Sequence, residues 1–167
     1  AIRPADRYLM ERFVRGGVEY IGDRVQKDGY LEYHNARIKP CDYLPTFKIL
    51  SLDIECAADG ELFSIGFYGQ ANSRAQQKVL MRGNAKDPAN LNAPDYIKWL
   101  DSELQLLTAL VDYINQIDPD IIIGWNIINF DFRVLAKRAQ VNGVSLKLGR
   151  GAKAMRWRDS YTDTNQG

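Results

Sequence analysis

The tripeptide Asp53-Ile54-Glu55 sets two carboxylates inside FKILSLDIE (47–55), a run otherwise suited to a core strand. Carboxylates are expensive to bury unless something compensates them. Alternate side chains of a strand share a face, so Asp53 and Glu55 project together, roughly 6.6 Å apart along the chain. Leu50, Leu52 and Ile54 then point the opposite way, into the core. No Lys or Arg stands beside either acid, and such a pair repels unless cations lie between its members. Hard oxygen ligands of this kind suit Mg²⁺ or Mn²⁺. Two acids exposed at a strand end are the plain alternative, and D-x-E alone does not decide between them.

A second group lies in GWNIINFDF (124–132). Asp131 falls in the first turn of a helix, where the macrodipole favours an ionised carboxylate. Asn126 precedes it in a strand-to-helix loop and can both donate and accept hydrogen bonds. Helix capping would account for either residue equally well. The combination says more. If strands 47–55 and 120–126 run parallel side by side, Asp53, Glu55, Asp131 and Asn126 converge on the sheet edge where α/β folds hold ligands. That set would suit two divalent ions about 3.5–4 Å apart, as in phosphoryl hydrolysis.

Several elements must form for this to happen. PADRYLMERFVR (4–15) has Pro at a first helical turn and apolar residues at helical spacing, with Gly16-Gly17 as a stop. VEYIGDRVQ and YLEYHNARI flank a turn at Asp28-Gly29, which is a hairpin signature. KPCDYLP (39–45) reads as a linker, so 1–45 is a small appendage and 46–167 the main domain. That domain opens with strands over 47–55, 61–69 and 76–81, the first two joined at Asp59-Gly60. A polar loop (83–95) precedes a helix beginning at Tyr96 or Ser102 and ending at Ile117. Leu104, Leu107, Leu110, Val111 and Ile114 share its face, Ser102 and Gln105 cap it, and Glu103 serves its N-terminus. DIIIGWN (120–126) is the apolar run expected of a buried parallel strand, and FDFRVLAKRAQVN (130–142) resumes a helical period closed by Asn142-Gly143. Three antiparallel strands and then helix, strand and helix make a mixed α/β sheet with a right-handed crossover.

Charge and cysteine content narrow the class. The net charge is only +1, but Arg3, Arg7, Arg12 and Arg15 crowd one end and Lys147, Arg150, Lys153, Arg156 and Arg158 the other. Such ends suit either a polyanion or plain solvation. Cys41 and Cys56 lie in unrelated contexts, which argues against a disulfide framework or a structural zinc. No apolar run approaches the ~18 residues of a membrane span, and no leader pattern is present. The chain therefore reads as soluble and cytosolic, a piece of a longer protein, disordered from about 151 onward. His34 is expected at a surface or cross-strand position. Tyr30, Tyr33 and Phe13 would pack the appendage helix on its hairpin or stack on bases.

LSLDIE with the later IIIGWNIINFDF resembles the first two exonuclease motifs of family B DNA polymerases, whose proofreading domains are ribonuclease H-like exonucleases of the DEDD type. DRYLMERF (6–13), NARIKPCDY (35–43), DPDIIIGWN (118–126) and LKLGR (146–150) are similar, in order, to bacterial members of that family. The resemblance implies that 1–45 is part of a polymerase N-terminal region and 46–167 the front of a ribonuclease H-like 3′–5′ exonuclease domain. It implies Asp53, Glu55 and Asp131 as catalytic metal ligands for Mg²⁺ or Mn²⁺. Asn126 would hold the 3′-terminal nucleotide or order the site, and Trp125 would line the nucleotide pocket or be buried at the strand end. A metal-activated water would attack the terminal phosphodiester and release a deoxynucleoside monophosphate. The implied partners are the single-stranded 3′ end of a DNA primer, the rest of the polymerase chain and, through it, a sliding clamp, in a bacterial cytoplasm near the nucleoid. Implied roles are replication and repair.

Two departures stand out. The family usually continues DIE with Thr, whereas Cys56-Ala57 stands here. The third motif, Y-x₃-D, is absent: Tyr161 has Asn165 at that offset. The fragment itself is therefore expected to be inactive. The alternatives are a stand-alone DEDD exonuclease acting on DNA or RNA ends, or a non-catalytic nucleic-acid-binding module.

Overall fold

Pro4 presets the backbone of a first helical turn, and helix α1 (Pro4–Glu11) starts there in the computed structural model, which describes residues 2–28, 30–71, 74–151 and 153–157. The helix ends at Glu11 rather than at 15. Phe13 takes a left-handed φ of 55°, and the N–H groups of Phe13 and Val14 donate to the Met10 and Leu9 carbonyls. That is a Schellman closure with Phe where Gly is usual. Strands β1 (Val18–Lys27) and β2 (Tyr30–Pro40) pair antiparallel, with Tyr20 and Tyr33 edge to face at 4.6 Å. Gly29 of the expected turn lies outside the described residues. Phe13 and Tyr30 are exposed, so neither packs helix on hairpin as expected, and His34 sits 3.0 Å from Glu32 on the hairpin surface. These elements form one unit, Ala1–Thr46; the second is Phe47–Gly167.

In the second unit β3 (Ile49–Cys56), β4 (Leu62–Ala71) and β5 (Arg74–Arg82) form the expected antiparallel trio. A further strand, β6 (Ile97–Leu100), runs parallel to β5 and has no counterpart in the sequence reading. It occupies the place of the Tyr96 helix start, and the helix α2 (Glu103–Ile117) begins only after the Ser102 hydroxyl accepts from the Gln105 N–H. Four residues are too few for alternation to distinguish strand from helix. The short strand β7 (Ile121–Ile123) runs parallel to β3 at the other edge, with Leu50 opposite Ile122. It is shorter than the expected 120–126, and it is not fully buried: Ile121 and Ile123 are exposed while Ile122 meets the core. The helices α2 and α3 (Asp131–Val141) belong to a single hydrophobic core with Leu50, Leu52, Ile54, Ile65, Phe67 and Leu80. On α2 the expected Leu107, Leu110 and Ile114 are buried and Val111 packs against the core, while Leu106 joins that face and Leu104 is exposed.

Two local constraints hold α3 and the loop leading into it against the sheet. A Cβ on Gly124 would stand 2.5 Å from the Leu52 carbonyl oxygen and 3.1 Å from the Ile127 side chain. Only glycine lets the loop after β7 lie this close to β3. The second is an ion pair whose carboxylate is buried and whose guanidinium is partly buried. Glu103 and Arg138 meet through two hydrogen bonds, 2.7 Å from Nε and 2.5 Å from the second guanidinium nitrogen. The same carboxylate accepts from the Leu62 N–H at 2.9 Å and from the Asn142 amide at 2.8 Å. Glu103 thus ties α2, α3 and β4 together, a larger task than the helix-terminal one expected of it. Burial would raise its carboxyl, but the hydrogen bonds from Arg138, Leu62 and Asn142 and the Arg138 charge outweigh this and bring it from 4.5 down to about 2.

The tail also departs from expectation. Arg150 is held by Asp118 at 2.6 Å and Asp120 at 2.7 Å, Met155 packs on the core, and Trp157 stacks on Arg133 with 4.1 Å to the ring centroid. Residues 153–157 are therefore placed against the domain, and the expectation of disorder for 158–167 falls outside the described residues.

Two measurements test these constraints. Gly124→Ala should lower stability by about 1–3 kcal/mol in denaturant melts, since the added methyl must push backbone from backbone. Because the Glu103 pKa is lower in the folded chain than unfolded, its stabilisation is complete above pH 4.5 and lost as pH falls toward 2. The stability difference between wild type and Glu103→Gln should therefore shrink by roughly 3 kcal/mol across that window.

Candidate active site

Strand alternation places Asp53 and Glu55 on the face of β3 opposite Leu50, Leu52 and Ile54, and both acids are solvent-exposed. Opposite them on β4 stand Gly66 and Ser64, so no cation is paired to either across the sheet. The antiparallel register slips between Glu55 and Cys56, a bulge at the strand's end that turns the chain toward Asp59-Gly60.

Asp131 is the first residue of α3 and is 1% exposed. Its Oδ1 is the one buried side-chain oxygen or nitrogen without a hydrogen-bond partner among the described residues. Burial, and after it the Asp53 charge, raise its carboxyl above the usual carboxylate range, against the opposing N–H groups of Asp131 itself and Ile54. A buried carboxylate with a free oxygen beside a second carboxylate is a poor arrangement for a protein alone. A hard cation would partner the free oxygen, screen the Asp53 charge and favour ionisation. The donor set fits a divalent ion on these grounds. Among the described residues, no three His, Cys, Asp or Glu side chains are gathered closely enough to hold a metal ion unaided. Asp53 and Asp131 are brought within electrostatic reach of each other, while Glu55 stands further along the exposed face.

Asn126 sits in the loop joining β7 to α3 with a left-handed φ of 54°. Its carbonyl accepts from the N–H groups of Asn129 and Phe130, a turn that feeds directly into α3. Ile127 anchors this loop in the core, and the Asn126 side chain is left exposed. Trp125 is 92% exposed, so it is not buried at the strand end. Cys56 is half-buried, with its thiol pushed up by burial and then by the charges of Glu55 and Asp131.

An open concavity of about 380 Å³ borders the chain neighbours of these acids rather than the acids themselves, and is lined by Cys56, Asp59, Phe130, Val134, Lys137 and Arg138. Sequence reasoning does not single out Phe130, Val134 or Lys137. Their spacing of four and three residues along α3 is the signal that places them on one helical face.

The sequence model of "DNA polymerase family B, exonuclease domain" matches residues 25–166. DNA polymerase II of Escherichia coli (strain K12) is 39% identical over 160 residues, which is 95% of this chain and 19% of that protein. The DNA polymerase delta catalytic subunit of Oryza sativa subsp. japonica is 34% identical over 104 residues, 57% of this chain and 9% of that one. The solved family B DNA polymerase of Pyrobaculum calidifontis superposes with a TM-score of 0.62 over 92% of this chain and 19% of its own, at 19% identity, which speaks to the fold alone. The chain thus spans about a fifth of the length of the bacterial relative. From the match over residues 25–166, the chain belongs to the exonuclease-domain family of the family B DNA polymerases.

Proposed function

We propose that this chain carries the front of a 3′–5′ proofreading exonuclease site, with Asp53, Glu55 and Asp131 as the ligands of a divalent pair, Mg²⁺ or Mn²⁺. The observation that carries this reading is the buried, unpartnered Oδ1 of Asp131 within reach of the Asp53 charge. Such ions, when bound, neutralise the scissile phosphate and lower the pKa of the attacking water.

The chain's own residues supply the rest. Asp131 has no freedom to leave its place, being buried at the start of α3. Asp53 and Glu55 are reachable from solvent, as ligands shared with a substrate phosphate must be. Asn126 offers an exposed amide to the terminal nucleotide, and Trp125 an exposed indole face on which a base can stack. Lys137, exposed on the rim of the adjoining concavity, offers a cation to the DNA backbone. The substrate in this reading is the single-stranded 3′ end of a primer, and the product a deoxynucleoside monophosphate. Residues 1–45 belong to the polymerase's N-terminal region, and polymerisation is performed elsewhere in the longer bacterial protein. Without a Y-x₃-D motif the isolated chain lacks the fourth carboxylate and is inactive as a nuclease.

In the full-length polymerase, Asp53→Ala should reduce mononucleotide release at least ~100-fold while primer extension stays within about twofold, the loss expected for a metal ligand. Continued degradation at the wild-type rate would refute the carboxylate assignment. The isolated chain should release mononucleotides only at background rates in Mg²⁺ or Mn²⁺. Asn126→Gly keeps the left-handed backbone and removes the amide, whereas Asn126→Ala also strains the backbone by about 1–2 kcal/mol. If the amide holds the nucleotide, both variants raise KM for single-stranded ends; wild-type KM in Asn126→Gly would assign Asn126 a purely conformational role.

A further inference from the structure

Glu103 belongs to no motif, yet four hydrogen bonds from two other elements end on its carboxylate, which is 7% exposed. Arg138 belongs to α3, which begins at Asp131, and Leu62 to β4, the strand paired with the one that carries Asp53 and Glu55. Leu62 lies opposite Cys56 in the β3–β4 ladder, next to Glu55. Arg138 is seven residues after Asp131, so it lies two helical turns along α3 on nearly the same face, about 10 Å from it along the axis. The remaining donor, Asn142, continues that face past the end of α3.

We propose that Glu103 is a positioning residue for the metal site: by clamping Arg138 and the Leu62 N–H to one carboxylate, it sets where Asp131 stands relative to Asp53 and Glu55. This rests on the reading of those three acids as metal ligands. The form of the contact supports a geometric role over a merely cohesive one. A buried ion pair seldom adds net stability over a well-packed apolar pair, so its distinctive contribution here is direction. The guanidinium fork meets both carboxylate oxygens, which fixes α3 against rotation and sliding in a way that a leucine contact would not. Arg138→Lys would keep the charge and lose the fork.

Mn²⁺ binding to the 167-residue chain, monitored by electron paramagnetic resonance at pH 7, tests this without relying on catalysis. Wild type, Asp53→Ala, Glu103→Gln, Arg138→Lys and Asn142→Ala would be compared at a temperature where circular dichroism shows each to be folded. Asp53→Ala should abolish binding. Glu103→Gln and Arg138→Lys should weaken it about tenfold, as loss of an outer support does at metal sites. Asn142→Ala, which removes a single donor and is the mildest change to folding, should weaken it about twofold. A role confined to stability would lower Tm and leave the Mn²⁺ dissociation constant of the folded chain unchanged. Wild-type affinity in the Glu103, Arg138 and Asn142 variants, with Asp53→Ala impaired, overturns the positioning role and leaves the carboxylate reading intact. Unchanged affinity in Asp53→Ala overturns the carboxylate reading and the positioning role with it.

Discussion

A strand can commit only every second side chain to the core, and β3 makes that restriction the basis of the domain. Leu50, Leu52 and Ile54 join the apolar cluster under α2 and α3, which leaves Ser51, Asp53 and Glu55 on the opposite face. The acids are therefore not buried charges that the fold must tolerate. They ride on a strand whose other face is anchored by some of the best-buried side chains in the domain, and this gives exposed groups a rigid mount. A carboxylate that binds a cation needs such a mount, because each ångström of drift weakens coordination.

Asp131 reaches the same edge by a different route. It is delivered by a helix rather than a strand, so its placement depends on how α3 docks. Apolar contacts through Leu135 and Ala139 bring the helix close, but side chains of that shape permit sliding. The glycine at 124 and the polar knot at Glu103 remove that latitude from two directions, one at the loop leading into the helix and one near its far end. The residues that look least chemical in the sequence thus restrict the most chemical one.

What was legible in the sequence divides along the same line. Alternation in FKILSLDIE and the helical period after Ser102 are enough to place β3, β4, β5 and α2, because period and burial agree there. The pairing of β3 with the run after Asp120 can be read from its apolar character, but its half-exposure cannot, because a sheet covered on one face leaves the other face of its edge strand open. Strand β6 is too short to show a period. Helix α1 ends early through a left-handed Phe13 that no propensity favours. At the candidate site, Asp53, Glu55, Asn126 and Asp131 can be picked out by residue type and spacing. Glu103 cannot, since its significance lies in partners 35 and 39 residues away in the chain that only the fold brings to it.

The exposure of Trp125 has an optical consequence. Of the chain's three tryptophans, Trp99 is half-buried, lying close over Gly83, and Trp157 is stacked on the Arg133 guanidinium. Trp125 alone presents nearly all of its indole to water, one residue from Asn126. Its emission should be the most red-shifted of the three and the most accessible to a neutral quencher. The molecule therefore carries an exposed fluorophore one residue from Asn126, so anything that covers this loop would shift its emission and shield it from quenching.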